Sequence, residues 1–175
     1  MTPAPAPAPD AAAPIAPLEA DVLPESDGWP DWAVAVVKAA AAAAYADAAL
    51  ADPPPPAQVA VLLADDAALR RLNREYRGQD APTNVLSFPN DDEPPDGEPL
   101  FLGDMALAWE TLAREAAAMG KSDRDHATHL VVHGMLHLMG MDHEDDDEAA
   151  EMEALEIEIL ARRFGIENPY EEETA

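Results

Sequence analysis

Chemistry in this 175-residue chain is concentrated in one segment, Ser122 to His143 (SDRDHATHLVVHGMLHLMGMDH), which holds all five histidines. His133 and His137 lie four residues apart in a stretch that reads as helix, so their rings project from one face a turn apart and can take adjacent corners of a tetrahedral metal. Gly140 permits the sharp reversal that ends a helix, and His143, ten residues after His133, can return as a third ligand. Three neutral imidazoles with one open position on Zn²⁺ lower the pKa of a bound water to about 7 and supply hydroxide near neutral pH. The chain has no cysteine, which excludes thiolate zinc sites, disulfides and cysteine nucleophiles and leaves His, Asp and Glu as metal donors. One zinc ion per chain is the expected cofactor.

A bare H-x-x-x-H is weak evidence, because two helical histidines can face solvent or satisfy each other within a core. The third histidine behind a glycine changes this, since the order and spacing coincide with the metzincin pattern H-E-x-x-H-x-x-G-x-x-H. One position departs from that pattern. Where zinc peptidases carry the glutamate that acts as general base, this chain has Gly134, which disfavours ordinary peptidase chemistry. A substrate that brings its own negative charge needs electrophilic stabilisation instead, and phosphodiesters fit that description. Four of the ten basic residues, Arg70, Arg71, Arg74 and Arg77, fall within eight positions, and Arg70, Arg74 and Arg77 share one helical face. The plain alternative for this strip is a solvated helix face.

The string His133-Gly-Met-Leu-His-Leu-Met-Gly-Met-Asp-His143 resembles the HGxLHLxGxDH signature of the YbeY family, bacterial zinc-dependent, single-strand-specific endoribonucleases of ribosomal RNA maturation. Asn73 to Pro89 (NREYRGQDAPTNVLSFP) is similar to the family's NxxYRxxDxPTDVLSFP, with Asn84 where Asp is common, and Leu102-Gly-Asp-Met105 is similar to its LGDI strand. The resemblance covers about residues 57 to 165. It implies a zincin-like fold, metal ligation by His133, His137 and His143, and contact of Arg77 with the scissile phosphate or its transition-state charge, which a planar guanidinium can meet with paired hydrogen bonds. A salt bridge from Arg77 to a neighbour such as Asp80 is the structural alternative.

Other residues carry weaker signals. His126 and His129 continue the face of His133, where they can contact substrate, support the ligands from behind, or pack against the next element. Asp142 can orient the imidazole of His143 or cap the helix that begins near Glu144. Ser87 and Asp104 fall on strands near the motif with no assigned chemistry. Trp29, Trp32 and Trp109 stand at helix starts among apolar neighbours and read as core anchors rather than base-stacking platforms.

The elements that must position these residues follow from period and punctuation. Trp32 to Leu50 reads as an alanine-rich helix stopped by Pro53 to Pro56, and Gln58 to Leu63 as a strand. Asp65 caps a helix to about Arg74 in which Leu69, Leu72 and Tyr76 supply the buried stripe. Asn84–Phe88 and Leu100–Ala108 read as strands on either side of an acidic, proline-containing loop. Helices follow over Trp109–Met119, from the Ser122 cap to about Met139, and over Glu144–Phe164, whose acidic first turn and Arg162–Arg163 match the helix dipole. This order predicts an α+β fold: one small mixed sheet covered by helices, with the metal site on a helix and the turn behind it. Seven of the 18 prolines fall in residues 1–28, which are expected to form a disordered extension; residues 29–167 form the domain and residues 168–175 an acidic tail.

The net charge of -26 argues against nonspecific coating of nucleic acid and against anionic membranes. No basic n-region precedes Lys38, so cytoplasmic residence is the default. The leading expectation is a metal-dependent endoribonuclease of single-stranded RNA, which the resemblance places in small-subunit ribosomal RNA 3′ end maturation and ribosome quality control. Because each phosphate contact needs cationic compensation, the small ribosomal subunit or an assembly GTPase is the expected source of affinity. The alternatives are a metzincin-like zinc peptidase with another carboxylate as base, and a noncatalytic assembly factor whose metal is closed by a fourth ligand such as His129 or Asp142.

Overall fold

The computed structural model describes residues 18–170. Four strands, β1 (Leu18–Pro24), β2 (Ala57–Ala64), β3 (Val85–Pro89) and β4 (Leu100–Ala108), form one mixed sheet in the order β1-β2-β4-β3. β1 and β4 run parallel to β2, and β3 runs antiparallel to β4. The helices are α1 (Ala33–Ala48), α2 (Asp66–Arg77), α3 (Trp109–Ala118), α4 (Asp123–Leu138) and α5 (Asp146–Phe164). The α+β expectation therefore holds, and every element read from the sequence is present within a few residues.

The expected disordered extension is corrected. Leu18–Pro24 pairs along its whole length with β2, and Val22 is buried in the core. An edge strand needs backbone partners on one side only, so a terminal proline is tolerated there. Residues 1–17 of that extension and residues 171–175 of the acidic tail lie outside the described residues.

The main core lies between one sheet face and helices α1, α4 and α5. α1 presents Ala33, Val37, Ala40, Ala41 and Ala44 to it, and these small side chains let the helix approach closely. A smaller cluster joins Ala68 and Leu69 of α2 to Ala64, Leu86, Ala106 and Ala108 on the opposite face. Tyr76, expected in the buried stripe of α2, is 57% exposed and packs edge-on to Phe88 with ring centroids 5.2 Å apart. The tryptophans pack as anchors: Trp29 and Trp32 lie 5.2 and 6.2 Å from Trp109, and Trp29 Nε1 donates to the Ala64 carbonyl at 2.8 Å. Among the described residues no helix is long and apolar enough to cross a membrane.

The C-terminal ends of α1 and α5 are clamped through Asp47, whose nearly buried carboxylate meets Arg162 at 2.8 Å and Arg163 Nε at 3.0 Å. The Arg163 hydrogen bonds, against the opposing effect of burial and helped by Arg162, hold the Asp47 carboxyl below its ordinary range. A depressed folded pKa contributes stability above the unfolded value of about 3.9, and that contribution is lost as pH falls through the folded value. Asp47→Asn is thus expected to lower stability by about 1–2 kcal/mol near neutral pH, the solvent-exposed guanidiniums limiting the effect, and by little near pH ~3. Denaturant midpoints at the two pH values check this; a pH-independent difference would count against the clamp.

Candidate metal centre

Ser122 caps α4 by accepting from the Asp125 amide at 3.0 Å, and the helix then sets its histidines on one face. Ring centroids of His133 and His137 are 4.6 Å apart. Gly140, at φ 94, turns the chain back, so that the His143 ring comes within 5.0 Å of His137 and 6.0 Å of His133. The structure brings together the three histidines that the spacing singled out.

The hydrogen bonds of two of them decide which nitrogen faces the cluster. His137 Nδ1 donates to the Met141 carbonyl at 3.0 Å, within the turn that returns His143. His133 Nδ1 donates to Glu156 Oε1. When the rings are neutral and both Nδ1 protons are committed, the lone pairs are on the two Nε2 atoms, which face each other at 3.0 Å. Two lone pairs so placed repel unless a cation lies between them, and two nitrogens on one tetrahedral zinc are about 3.3 Å apart. The donor set therefore fits a divalent metal. Burial, then the neighbouring His133 and His143, lower the pKa of His137, so the ring is a neutral donor near neutral pH.

Asp142 has a different place from either expectation. Its Oδ1 accepts from the His143 amide at 2.7 Å and stands 3.9 Å from His143 Nδ1, too far to orient that ring, while Asp145 caps α5 by accepting from the Glu148 amide at 2.8 Å. Donor atoms of His137, Asp142 and His143 lie within 4.8 Å of one another, so the aspartate is a further candidate ligand.

Glu156 was missed in the sequence. It lies on α5, fully buried, and receives His133 Nδ1 on one oxygen and the Tyr170 hydroxyl on the other. Burial alone would raise its carboxyl, but the nearby His129 ring and the hydrogen bonds from His133 and the Tyr170 hydroxyl outweigh burial and hold it at about 2. A carboxylate behind a ligand imidazole fixes its tautomer and strengthens it as a donor. The signal was present in the pattern, because Glu156 occupies the apolar stripe of Met152, Ile159 and Leu160.

The remaining histidines lie outside the cluster. His126 is buried, its Nε2 is 2.7 Å from Glu115 Oε2, and burial lowers its pKa against the pull of that carboxylate. Asn84 donates to the same carboxylate at 2.9 Å, a bond that an aspartate at position 84 could not donate. His129 Nε2 is 3.4 Å from the Tyr170 hydroxyl.

The arginine strip divides. Arg70 makes a paired contact with Asp80 at 2.8 and 2.9 Å, and Arg74 lies 3.9 Å from the same carboxylate. Arg77, on the last turn of α2 before the left-handed Gly78, turns away from Asp80; it donates to the Ser87 carbonyl at 2.9 Å and lies over Phe88 at 5.3 Å. Arg77 and the three histidines line one open groove of about 1070 Å³.

Position 134 faces the sheet. Ser87 Oγ donates to the Gly134 carbonyl at 3.2 Å, and a Cβ on Gly134 would lie 2.7 Å from Met105 Cε and 3.0 Å from Ser87 Oγ. A peptidase-type glutamate there would have to displace the end of the Met105 side chain and the Ser87 hydroxyl. Strand alternation sends Asp104 to the opposite face of β4 from Met105, where it is exposed beside Tyr76 and Phe88 and away from the histidines.

Fold and site together define a small α+β domain that holds a histidine cluster on a core helix beneath an open groove. The chain belongs to the endoribonuclease YbeY family, whose model matches residues 23–163. It is 59% identical over 116 residues to an endoribonuclease YbeY of Rhodospirillum rubrum, a match spanning 64% of this chain and 58% of that protein. It is 53% identical over 156 residues to that of Azorhizobium caulinodans, spanning 87% and 96% of the two chains. The solution structure of TM1509 from Thermotoga maritima matches the fold with a TM-score of 0.58 and 24% identity, over 84% of this chain and 90% of that one.

Proposed function

We propose that the protein is a metal-dependent endoribonuclease that cleaves single-stranded RNA, with one zinc ion held by His133, His137 and His143. The observation that carries this reading is the pair of facing Nε2 atoms on His133 and His137, 3.0 Å apart and opening onto the groove that Arg77 also lines. Zinc bound there supplies a Lewis acid and lowers the pKa of a water to about 7.

The chain's own residues supply positioning and charge. Glu156 and the Met141 carbonyl hold the two imidazoles in the tautomer that presents Nε2. Arg77 spends one N–H on Ser87, and its remaining donors are available to a phosphate whose charge grows during cleavage. The peptidase alternative is disfavoured by the packing at Gly134. In the structural-metal alternative Asp142, with a donor atom within 4.8 Å of those of His137 and His143, is the residue that closes the coordination.

Ribosomal RNA is the proposed substrate, in small-subunit 3′ end maturation, and the cytoplasm the proposed location, on the strength of the family. At a net charge of -26 the chain has few cations to offer a phosphate backbone, so docking to the small subunit or an assembly GTPase supplies the affinity. The test is cleavage of a single-stranded RNA by zinc-loaded and chelated protein alongside Arg77→Ala. Chelation should abolish cleavage, and Arg77→Ala should lower kcat by about 10²–10³-fold with zinc content unchanged. A fully metallated protein that leaves RNA intact, alone and with small subunits added, would sink the proposal and return belief to the assembly-factor reading.

A further inference from the structure

We infer that Tyr170 is a positioning residue for the metal centre, acting through Glu156, and that the segment following α5 is a strap that holds it there. The inference rests on His133 being a ligand. α5 ends at Gly165 in the left-handed region, and the chain turns back towards α4. Lys121 Nζ, just before α4, donates to the Pro169 carbonyl at 2.8 Å, and the Tyr170 amide donates to Asn168 Oδ1 at 2.9 Å. These contacts bring the Tyr170 hydroxyl to the buried Glu156, although the residue as a whole is 43% exposed and lines the groove.

The two oxygens of Glu156 are divided between two donors. Oε1 takes His133 Nδ1 and Oε2 takes the Tyr170 hydroxyl, so one continuous chain of hydrogen bonds runs from the strap to the ligand imidazole. His129 Nε2, 3.9 Å from Oε2, is the nearest substitute donor. Without the hydroxyl, a buried carboxylate oxygen is left unsatisfied, which is costly, and the carboxylate turns towards His129. That turn draws Oε1 from His133 Nδ1 and frees the ring to rotate or exchange tautomer. Loss of such an outer partner weakens metal binding by about 10–100-fold in metal sites generally.

The experiment measures zinc affinity of the full chain by competition with a chromophoric chelator, together with the visible spectrum of the cobalt(II)-substituted protein. Tyr170→Phe keeps the ring and removes the donor. It should weaken zinc binding by about tenfold and alter the cobalt spectrum, while the unfolding midpoint of the metal-free protein stays near that of wild type. A chain ending at Glu167, which loses the strap's anchor as well, should bind zinc at least as weakly as Tyr170→Phe. Tyr170→Phe that binds zinc as tightly as wild type, with an unchanged spectrum, overturns the inference and leaves the segment a packing role. Zinc affinity is read without RNA, so failure of the nuclease reading would leave this result in place, whereas wild-type protein that binds no zinc overturns it.

Discussion

His137→Ala should abolish RNA cleavage at stoichiometric zinc and weaken zinc binding by more than about a hundredfold, beyond the usual loss from an outer partner alone. The residue has two functions in the cluster. Its Nε2 faces that of His133 at 3.0 Å, and its Nδ1 ties the helix end to Met141 at 3.0 Å, within the turn that returns His143. Alanine removes a donor and releases the turn together, leaving His133 and His143 with ring centroids 6.0 Å apart. The fold should survive, because His137 is only partly buried and its neighbours Val131, Met135 and Leu138 carry the packing of α4; the metal-free unfolding midpoint should shift by less than about 1 kcal/mol in stability. Zinc titration and an RNA cleavage assay on the same preparation check both halves. Retained cleavage with normal zinc content would remove His137 from the site.

Gly103→Ala is expected to be the most destabilising single-methyl change in the sheet. Gly103 has φ 137, where side chains are rarely accommodated, and a Cβ there would lie 2.2 Å from the Phe88 carbonyl oxygen. That oxygen belongs to the backbone of the paired strand, so the clash is relieved only by separating β3 from β4. The register around it is irregular: Leu102 is passed over between the pairs Gln58–Phe101 and Val59–Gly103, while Pro89 faces Gly103. Backbone strain and overpacking together should cost about 3–5 kcal/mol and lower Tm by roughly 10 °C. Function should suffer too, because β3 carries the Ser87 carbonyl and the Phe88 ring on which Arg77 rests. Thermal unfolding of the variant checks the first effect, and an unchanged Tm would mean that the two strands do not approach as described.

Local rules made much of the architecture legible. The caps at Asp65 and Ser122 are side chains accepting amide hydrogens three residues on, and Gly78 and Gly165 end helices in the left-handed conformation. β1 is masked in the composition by the prolines around it, although Leu18, Ala20 and Val22 alternate with Glu19 and Asp21 as an edge strand requires. The arginine strip was legible as a helical face but not as a division of labour. Which of three like-charged side chains meets Asp80 and which meets Ser87 depends on where β3 runs relative to α2.

The sequence by itself determined the histidine triad, because His133, His137 and His143 are brought together by one helix and one glycine turn, within which spacing is geometry. Only the tertiary structure decided what stands behind them. Glu156 is 23 residues beyond His133 and Tyr170 a further 14, Gly134 answers to Met105 on another strand, and Arg77 reaches the groove from the far side of the sheet's edge strand. The physical reason is that helical periodicity fixes neighbours within about one turn, whereas the partners of a buried charge are set by how separate elements pack.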